Sequence, residues 1–94
     1  MNPFAFSEAV VEIENTIYLL PEITEVAVID LGFHRIAFVE SNYPSAEIKT
    51  IVTHHVKSTL PKTHWPEKVI VMKKLPRNVN GNLDKAMIKK RFQF

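Results

Sequence analysis

The spacing of the hydrophobic residues alternates along this chain between the period of a helix and that of a strand, which limits the folds open to it. The first 20 residues carry apolar side chains at helical spacing, at Val10, Ile13, Ile17 and Leu20. They predict a helix over residues 7–20, with Ser7 as N-cap and Glu8 in the first turn, where the helix dipole favours an acid. Pro21 ends this helix, because proline lacks the amide hydrogen that a helix interior uses.

Three short runs rich in β-branched residues are typical of strands, and they occupy residues 24–30, 35–40 and 69–72. Gly32 marks a turn between the first two runs, and a connection this short favours an antiparallel hairpin. Apolar residues stand at successive positions of the first run, which indicates a strand with both faces partly buried.

A second helix is expected between the second and third strands. Ser45 is its expected N-cap, and the helix runs to about Leu60, before Pro61. Its apolar side consists of Ile48, Ile51, Val52, His55, Val56 and Leu60. Residues 62–67 are expected to be irregular, with Trp65 covering the edge of the core.

A turn and a last helix complete the chain. Asn80-Gly81 is the strongest turn dipeptide present, and Asp84 is placed to cap a helix over residues 85–92. The residues expected to face inward from this helix are Met87, Ile88 and Phe92. The order α-β-β-α-β-α predicts a small α+β domain with helices packed on a three-stranded sheet. With 94 residues, the chain has the size of one domain, 1–94.

The composition excludes several classes of site. The chain has no cysteine, so it has neither a disulfide framework nor a thiolate nucleophile, and its two glycines do not form a glycine-rich phosphate loop. No Ser-His-Asp set can be assigned from spacing. The histidines lack the spacing and companion ligands of a metal site, so no metal is expected: they are His34, His54, His55 and His64.

Membrane and secretory segments are not expected either. The longest apolar runs have four or five residues, too few to span a bilayer. The first residues lack the basic start and apolar stretch of a signal peptide. We therefore expect a cytoplasmic protein without a membrane partner.

Charge is divided unevenly along the chain. Residues 1–47 carry eight acids and one base, whereas residues 48–94 carry eleven bases and two acids. Such a split is compatible with a nucleic-acid-binding second half. The interpretation we favour is that the two halves attract each other within one fold and that the remaining lysines coat solvated faces, because surfaces that bind nucleic acid usually have a denser basic stripe.

Residues 75–85 carry the most informative pattern. They read Leu-Pro-Arg-Asn-Val-Asn-Gly-Asn-Leu-Asp-Lys and lie between a predicted strand and the last helix. This segment resembles the "lP-x-t-x-N-G-K-hydrophobic-D" loop in the C-terminal lid domain of adenylate-forming (AMP-binding) enzymes, which include acyl-CoA synthetases, peptide-synthetase adenylation domains and luciferases. Further stretches similar to that family are residues 12–14, 20–28, 36–39 and 45–48. The resemblance extends from about residue 8 to residue 92.

The resemblance implies that Asn82 occupies the position of the family's catalytic lysine. In the family, that ammonium group contacts the acyl carboxylate and the α-phosphate of ATP, where it neutralises developing charge. A neutral amide does not supply this charge, so we expect no catalytic residue in the chain. Lys85 is a weaker candidate surrogate, because the match of Gly81, Leu83 and Asp84 to the family pattern argues against shifting the alignment.

The resemblance also implies a partner. The family's large N-terminal domain, which holds ATP and the acyl substrate, and the hinge before the lid have no counterpart in these residues. The loop expected to face that partner's active site consists of Arg77, Asn78, Asn80, Gly81 and Asn82. We expect no activity and no bound cofactor for the chain alone, with ATP or AMP, and CoA or phosphopantetheine, belonging to the complete system.

Three functional hypotheses follow. In the first, the chain is a non-catalytic lid that works with a large adenylating domain in the same or another polypeptide, with an acyl carrier protein as a further candidate partner. In the second, it is the active fragment of a synthetase in which Lys85 or another base replaces the missing ammonium. In the third, it is a small anion- or nucleic-acid-binding module on the same fold. Self-association is also open, because an isolated lid exposes its docking face.

Overall fold

The structure is a computed structural model that describes residues 8–32 and 34–92. Its helices are α1 (Glu8–Tyr18), α2 (Ser45–Thr59) and α3 (Lys85–Phe92), and its strands are β1 (Glu25–Asp30), β2 (Arg35–Glu40) and β3 (Lys68–Met72). The predicted α+β class and the order α-β-β-α-β-α are confirmed. A short 3₁₀ turn over Lys62–His64 replaces part of the segment predicted to be irregular.

The sheet has β2 at its centre, in the order β1-β2-β3. The hairpin prediction is confirmed, because β1 pairs antiparallel to β2 with Glu25 opposite Glu40. Strand β3 pairs parallel to β2, with Met72 beside Glu40. A parallel pair requires a crossover, which α2 provides. Glu25, Glu40 and Met72 therefore lie at the same end of the sheet, where the chain leaves β3 towards α3.

Both faces of β1 are buried, as its apolar run predicted, and so are those of β2, whereas β3 is only half-buried. One face packs against α1 and α2, and its buried residues include Val26, Val28, Ala37, Val39, Ile13, Ile17, Ile48, Val52 and Val56. The other face packs against α3 and the segment before it, with Ala27, Ile29, Ile36, Phe38, Leu75 and Ile88. Because side chains alternate along a strand, consecutive residues of β1 and β2 point alternately into the two cores, one on each face of the sheet.

Helix α3 contacts the sheet through two of the three residues predicted to face inward. Ile88 is fully buried, and the ring of Phe92 lies 5.0 Å from that of Phe38. The prediction for Met87 was wrong, since this residue is 46% exposed. Successive helical residues point about 100° apart, so a helix that turns Ile88 and Phe92 to the sheet directs Met87 to its flank.

The predicted N-caps had different outcomes. The Asp84 Oδ1 accepts a 2.9 Å hydrogen bond from the backbone amide of Met87, which is the geometry of an N-cap. The Ser45 prediction was wrong, because Pro44 occupies the cap position of α2 and makes no side-chain cap bond. Ser45 is thus the first helical residue, one position too late to cap. Ser7, the predicted cap of α1, lies outside the described residues.

Helix α1 ends at Tyr18 rather than at residue 20, and the chain then tightens into a turn in which the Leu20 amide donates to the carbonyl of Ile17 at 3.0 Å.

Trp65 packs against the core that α1 and α2 share, as predicted. Its indole Nε1 donates to the carbonyl of Leu60 at 2.9 Å, which satisfies the exposed end of α2.

Candidate functional site

The connection from β3 to α3 forms a closed bend over residues 76–84, which we call the Asn82 loop. The Asn78 amide donates to the Asn82 carbonyl at 2.8 Å, and the Asp84 amide donates to the Pro76 carbonyl at 3.1 Å. Between these two bonds, Arg77 and Leu83 form an isolated antiparallel bridge. Residues 77–82 are all exposed, so the loop projects from the end of the sheet a tip that is polar except for Val79.

Asn78 organises the tip from within. Its Oδ1 accepts hydrogen bonds from the amides of Asn80 (2.9 Å) and Asn82 (3.2 Å), in the manner of an Asx-turn. Gly81 has φ +85°, a left-handed conformation that side chains other than glycine rarely adopt, and its amide donates to the Asn78 carbonyl at 3.0 Å. The Asn80-Gly81 turn predicted from the sequence is thus confirmed. The chain presents Asn82 on the exposed side of this turn.

Arg77 ties the loop to the sheet. Its Nη1 donates to the Gly81 carbonyl at 3.2 Å, within the loop. Its Nη2 donates to the Glu25 Oε2 at 3.2 Å and lies 3.9 Å from the Glu40 Oε1. One guanidinium therefore connects the turn of the loop with two carboxylates at the end of the sheet.

Glu40 holds the start of the loop. Its side chain is 12% exposed, and its Oε1 accepts a 2.8 Å bond from the buried amide of Leu75. Its Oε2 accepts a 2.8 Å bond from the Thr24 hydroxyl. The sequence analysis did not select Glu40 or Glu25. A carboxylate that follows four apolar residues at the end of a central strand was the available signal.

Tyr18 borders the same carboxylates. Its hydroxyl donates to the Thr24 carbonyl at 3.2 Å. Partial desolvation and the negative charge of Glu25 raise the pKa of Tyr18 above the usual value for a phenol. The phenol therefore stays protonated, and remains a hydrogen-bond donor, throughout the neutral pH range.

Lys85, the candidate surrogate cation, forms an ion pair with a residue of α1. Its Nζ lies 2.7 Å from the Glu14 Oε2, and the same oxygen accepts a 2.9 Å bond from the Val28 amide of β1. This ion pair therefore joins the first turn of α3 to α1 and to the edge strand. The structure thus groups Arg77, Asn78, Asn80, Gly81 and Asn82 on one loop, and it places the Lys85 ammonium against Glu14.

The histidines are dispersed over the fold. The His55 Nε2 lies 2.9 Å from the Thr16 carbonyl, the His64 Nε2 lies 3.1 Å from Glu12, and the His34 Nδ1 lies 3.5 Å from Glu67. Within residues 8–32 and 34–92, no three metal-ligating side chains converge. Over the same residues, no helix combines the length and the apolar character needed to cross a bilayer.

Both the sequence and the fold are similar to those of known proteins. Residues 12–82 match the family model described as the AMP-binding enzyme C-terminal domain. No curated protein sequence matches the chain. Among solved structures, the ATP-bound RpMatB-BxBclM chimera B1 is 33% identical with a TM-score of 0.77, and the match covers 88% of this chain and 18% of that one.

Two natural enzymes show the same relation. Apo MatB from Rhodopseudomonas palustris is 29% identical with a TM-score of 0.76, over 87% of this chain and 17% of that one. The Mycobacterium tuberculosis fatty acyl CoA synthetase is 27% identical with a TM-score of 0.69, over 86% and 17%. This chain therefore spans less than a fifth of the length of the proteins it matches. Since the family model covers most of the sequence, the chain belongs to the AMP-binding enzyme C-terminal domain family.

Proposed function

We propose that this chain is a lid domain of an AMP-forming acyl-activating ligase, and that it works with a large adenylating domain without supplying the cation used in adenylation. The observation that carries the proposal is the Asn82 loop, an exposed bend between the last strand and the last helix. At its tip the chain presents an amide where the resemblance to the family's loop expects an ammonium group. The large domain is part of the same polypeptide or of another one.

The charges around the loop support this assignment. Arg77 contacts the Glu25 carboxylate at 3.2 Å, and Lys85 contacts Glu14 at 2.7 Å. Each cation therefore has an acid of the same domain beside it, which weakens the field it projects towards a ligand. Lys85 is accordingly a poor substitute for the missing ammonium, since its release would cost the ion pair with Glu14.

The ligands of the complete system follow from the same proposal. ATP and the acyl group are bound by the large domain, and the acceptor is CoA or a phosphopantetheine thiol, free or on an acyl carrier protein. Exposed bases suited to such an anionic acceptor flank the loop on both sides. They are Lys73, Lys74, Lys89, Lys90 and Arg91, and within residues 8–32 and 34–92 none of them forms an ion pair.

The proposal is tested by replacing the corresponding domain of Rhodopseudomonas palustris MatB with this chain. We expect the fusion to catalyse pyrophosphate exchange with that enzyme's own acid only weakly. The Asn82→Lys variant should raise the rate by about 10²–10³, the range typical of one electrostatic contact made in the transition state. Asn80→Lys is the matched control, because it adds the same charge two residues away on the same exposed turn, and it should leave the rate low.

Two results would contradict the proposal. In one, the unmodified fusion adenylates as fast as the Asn82→Lys variant, which would mean that another group supplies the charge. In the other, Asn80→Lys raises the rate as much as Asn82→Lys, which would mean that position 82 has no special place. Binding of the separate chain to the large domain, measured by calorimetry, distinguishes a lid in trans from one that requires covalent linkage.

A further inference from the structure

We propose that Arg77 is a positioning residue that holds the Asn82 loop in one orientation relative to the sheet. This inference rests on the proposed function, because it assigns the loop's orientation a role in presenting residue 82 to the large domain. It concerns a residue that touches neither substrate nor cofactor in this chain and acts through the backbone of the turn.

The Arg77 guanidinium bridges two parts of the fold. Its Nη1 donates to the Gly81 carbonyl, next to residue 82, and its Nη2 donates to the Glu25 carboxylate on β1. A planar guanidinium suits such a bridge, because its donors keep a fixed mutual geometry. A lysine has one flexible point charge and does not hold two partners in a fixed relation.

The Glu40 carboxylate is itself fixed, and Glu25 lies on a strand that is paired to it. Glu40 lies 3.9 Å from Arg77 and is held by the Leu75 amide and by the Thr24 hydroxyl, each at 2.8 Å. Glu25 stands opposite Glu40 in the antiparallel register of the hairpin. The anchor therefore belongs to the regular sheet, whereas the far end of the bridge belongs to an exposed loop.

Apart from Arg77, the tip of the loop has no hydrogen bond to the sheet among the described residues. Residues 77–82 are exposed, and their other hydrogen bonds run within the loop, through the carbonyl and Oδ1 of Asn78. These internal bonds are exposed, so the shape of the turn and its angle to the sheet depend on the packing of Leu83 against the second core and on Arg77. Among the described hydrogen bonds from the tip, the contact of Arg77 with Glu25 is the one that reaches the sheet.

The test combines two measurements, and the first uses the full chain as it exists. Amide hydrogen exchange of Asn78, Gly81 and Asn82 should accelerate on the order of fivefold in Arg77→Gln, as expected for a partly exposed ion pair. Arg77→Lys should recover part of the protection. Arg35→Gln is the matched control, because Arg35 pairs with Asp30 at the opposite end of the hairpin, and it should leave these amides unchanged.

The second measurement uses the MatB fusion that carries Asn82→Lys. Arg77→Gln should lower kcat for pyrophosphate exchange about fivefold while leaving the KM for ATP unchanged. A displaced loop weakens stabilisation of the transition state, whereas ATP is bound by the large domain. Unchanged loop amides, or a rise in KM at constant kcat, would overturn the inference. Failure of the proposed function appears separately, as an Asn82→Lys fusion that gains no activity while Arg77 is intact.

Discussion

At the scale of single residues, Glu40 contributes more to the site than the sequence indicates. Its hydrogen bonds to Thr24 and Leu75 join residues 16 and 35 positions away, so no local pattern reveals them. Asp84 is the opposite case, because it caps α3 through an amide three residues ahead and was predicted from that spacing. Local hydrogen bonds could be predicted from this sequence, and the carboxylates that anchor the loop could not.

The buried contact of Glu40 makes a prediction about stability. Glu40→Ala should lower the free energy of unfolding by about 1–3 kcal/mol, because the buried Leu75 amide loses its acceptor. Glu40→Gln keeps an acceptor oxygen at that position and should cost less. Urea unfolding of both variants measures the difference, and equal losses would mean that the charge, rather than the hydrogen bond, is what Glu40 contributes.

At the scale of elements, hydrophobic spacing and β-branched runs predicted the three α-helices and three strands of the described residues, but not the 3₁₀ turn or all of the termini. The N-termini of α2 and α3 illustrate the limit. Both were assigned an N-cap from a polar residue at the start of an apolar pattern; Asp84 does cap α3, whereas Pro44 takes the cap position of α2. The relative direction of β3 was not predicted either, because it depends on how α2 crosses the sheet and not on the composition of the strand.

The two N-termini provide a matched pair of substitutions. Asp84→Ala should lower the free energy of unfolding by about 1 kcal/mol, since the Met87 amide loses its side-chain acceptor. Ser45→Ala should change it by less than about 0.5 kcal/mol, because Ser45 makes no cap bond. Thermal or urea unfolding, followed by circular dichroism, tests both. A larger loss in Ser45→Ala than in Asp84→Ala would contradict the assignment of the caps.

At the scale of the whole molecule, some of the unevenly distributed charges form ion pairs between the two halves of the chain. Arg77 pairs with Glu25 and Glu40, and Lys85 pairs with Glu14, so the basic second half attracts the acidic first half as predicted. The family could be predicted because several short stretches keep their order and spacing over most of the chain. The sequence did not predict which cations remain unpaired, because pairing depends on contacts between distant segments.

The central claim is that residue 82 reaches the nucleotide site of a large domain. Since the chain has no cysteine, Asn82→Cys and Lys62→Cys each provide a single labelling site in it, the second on the 3₁₀ turn. Each is introduced into the MatB fusion, whose remaining cysteines are replaced. Pulsed electron paramagnetic resonance then measures the distance from a spin label there to a spin-labelled ATP analogue. We predict a population in which the label at position 82 lies nearer the nucleotide than the label at position 62 does. A label at position 82 that is never the nearer of the two would contradict the account.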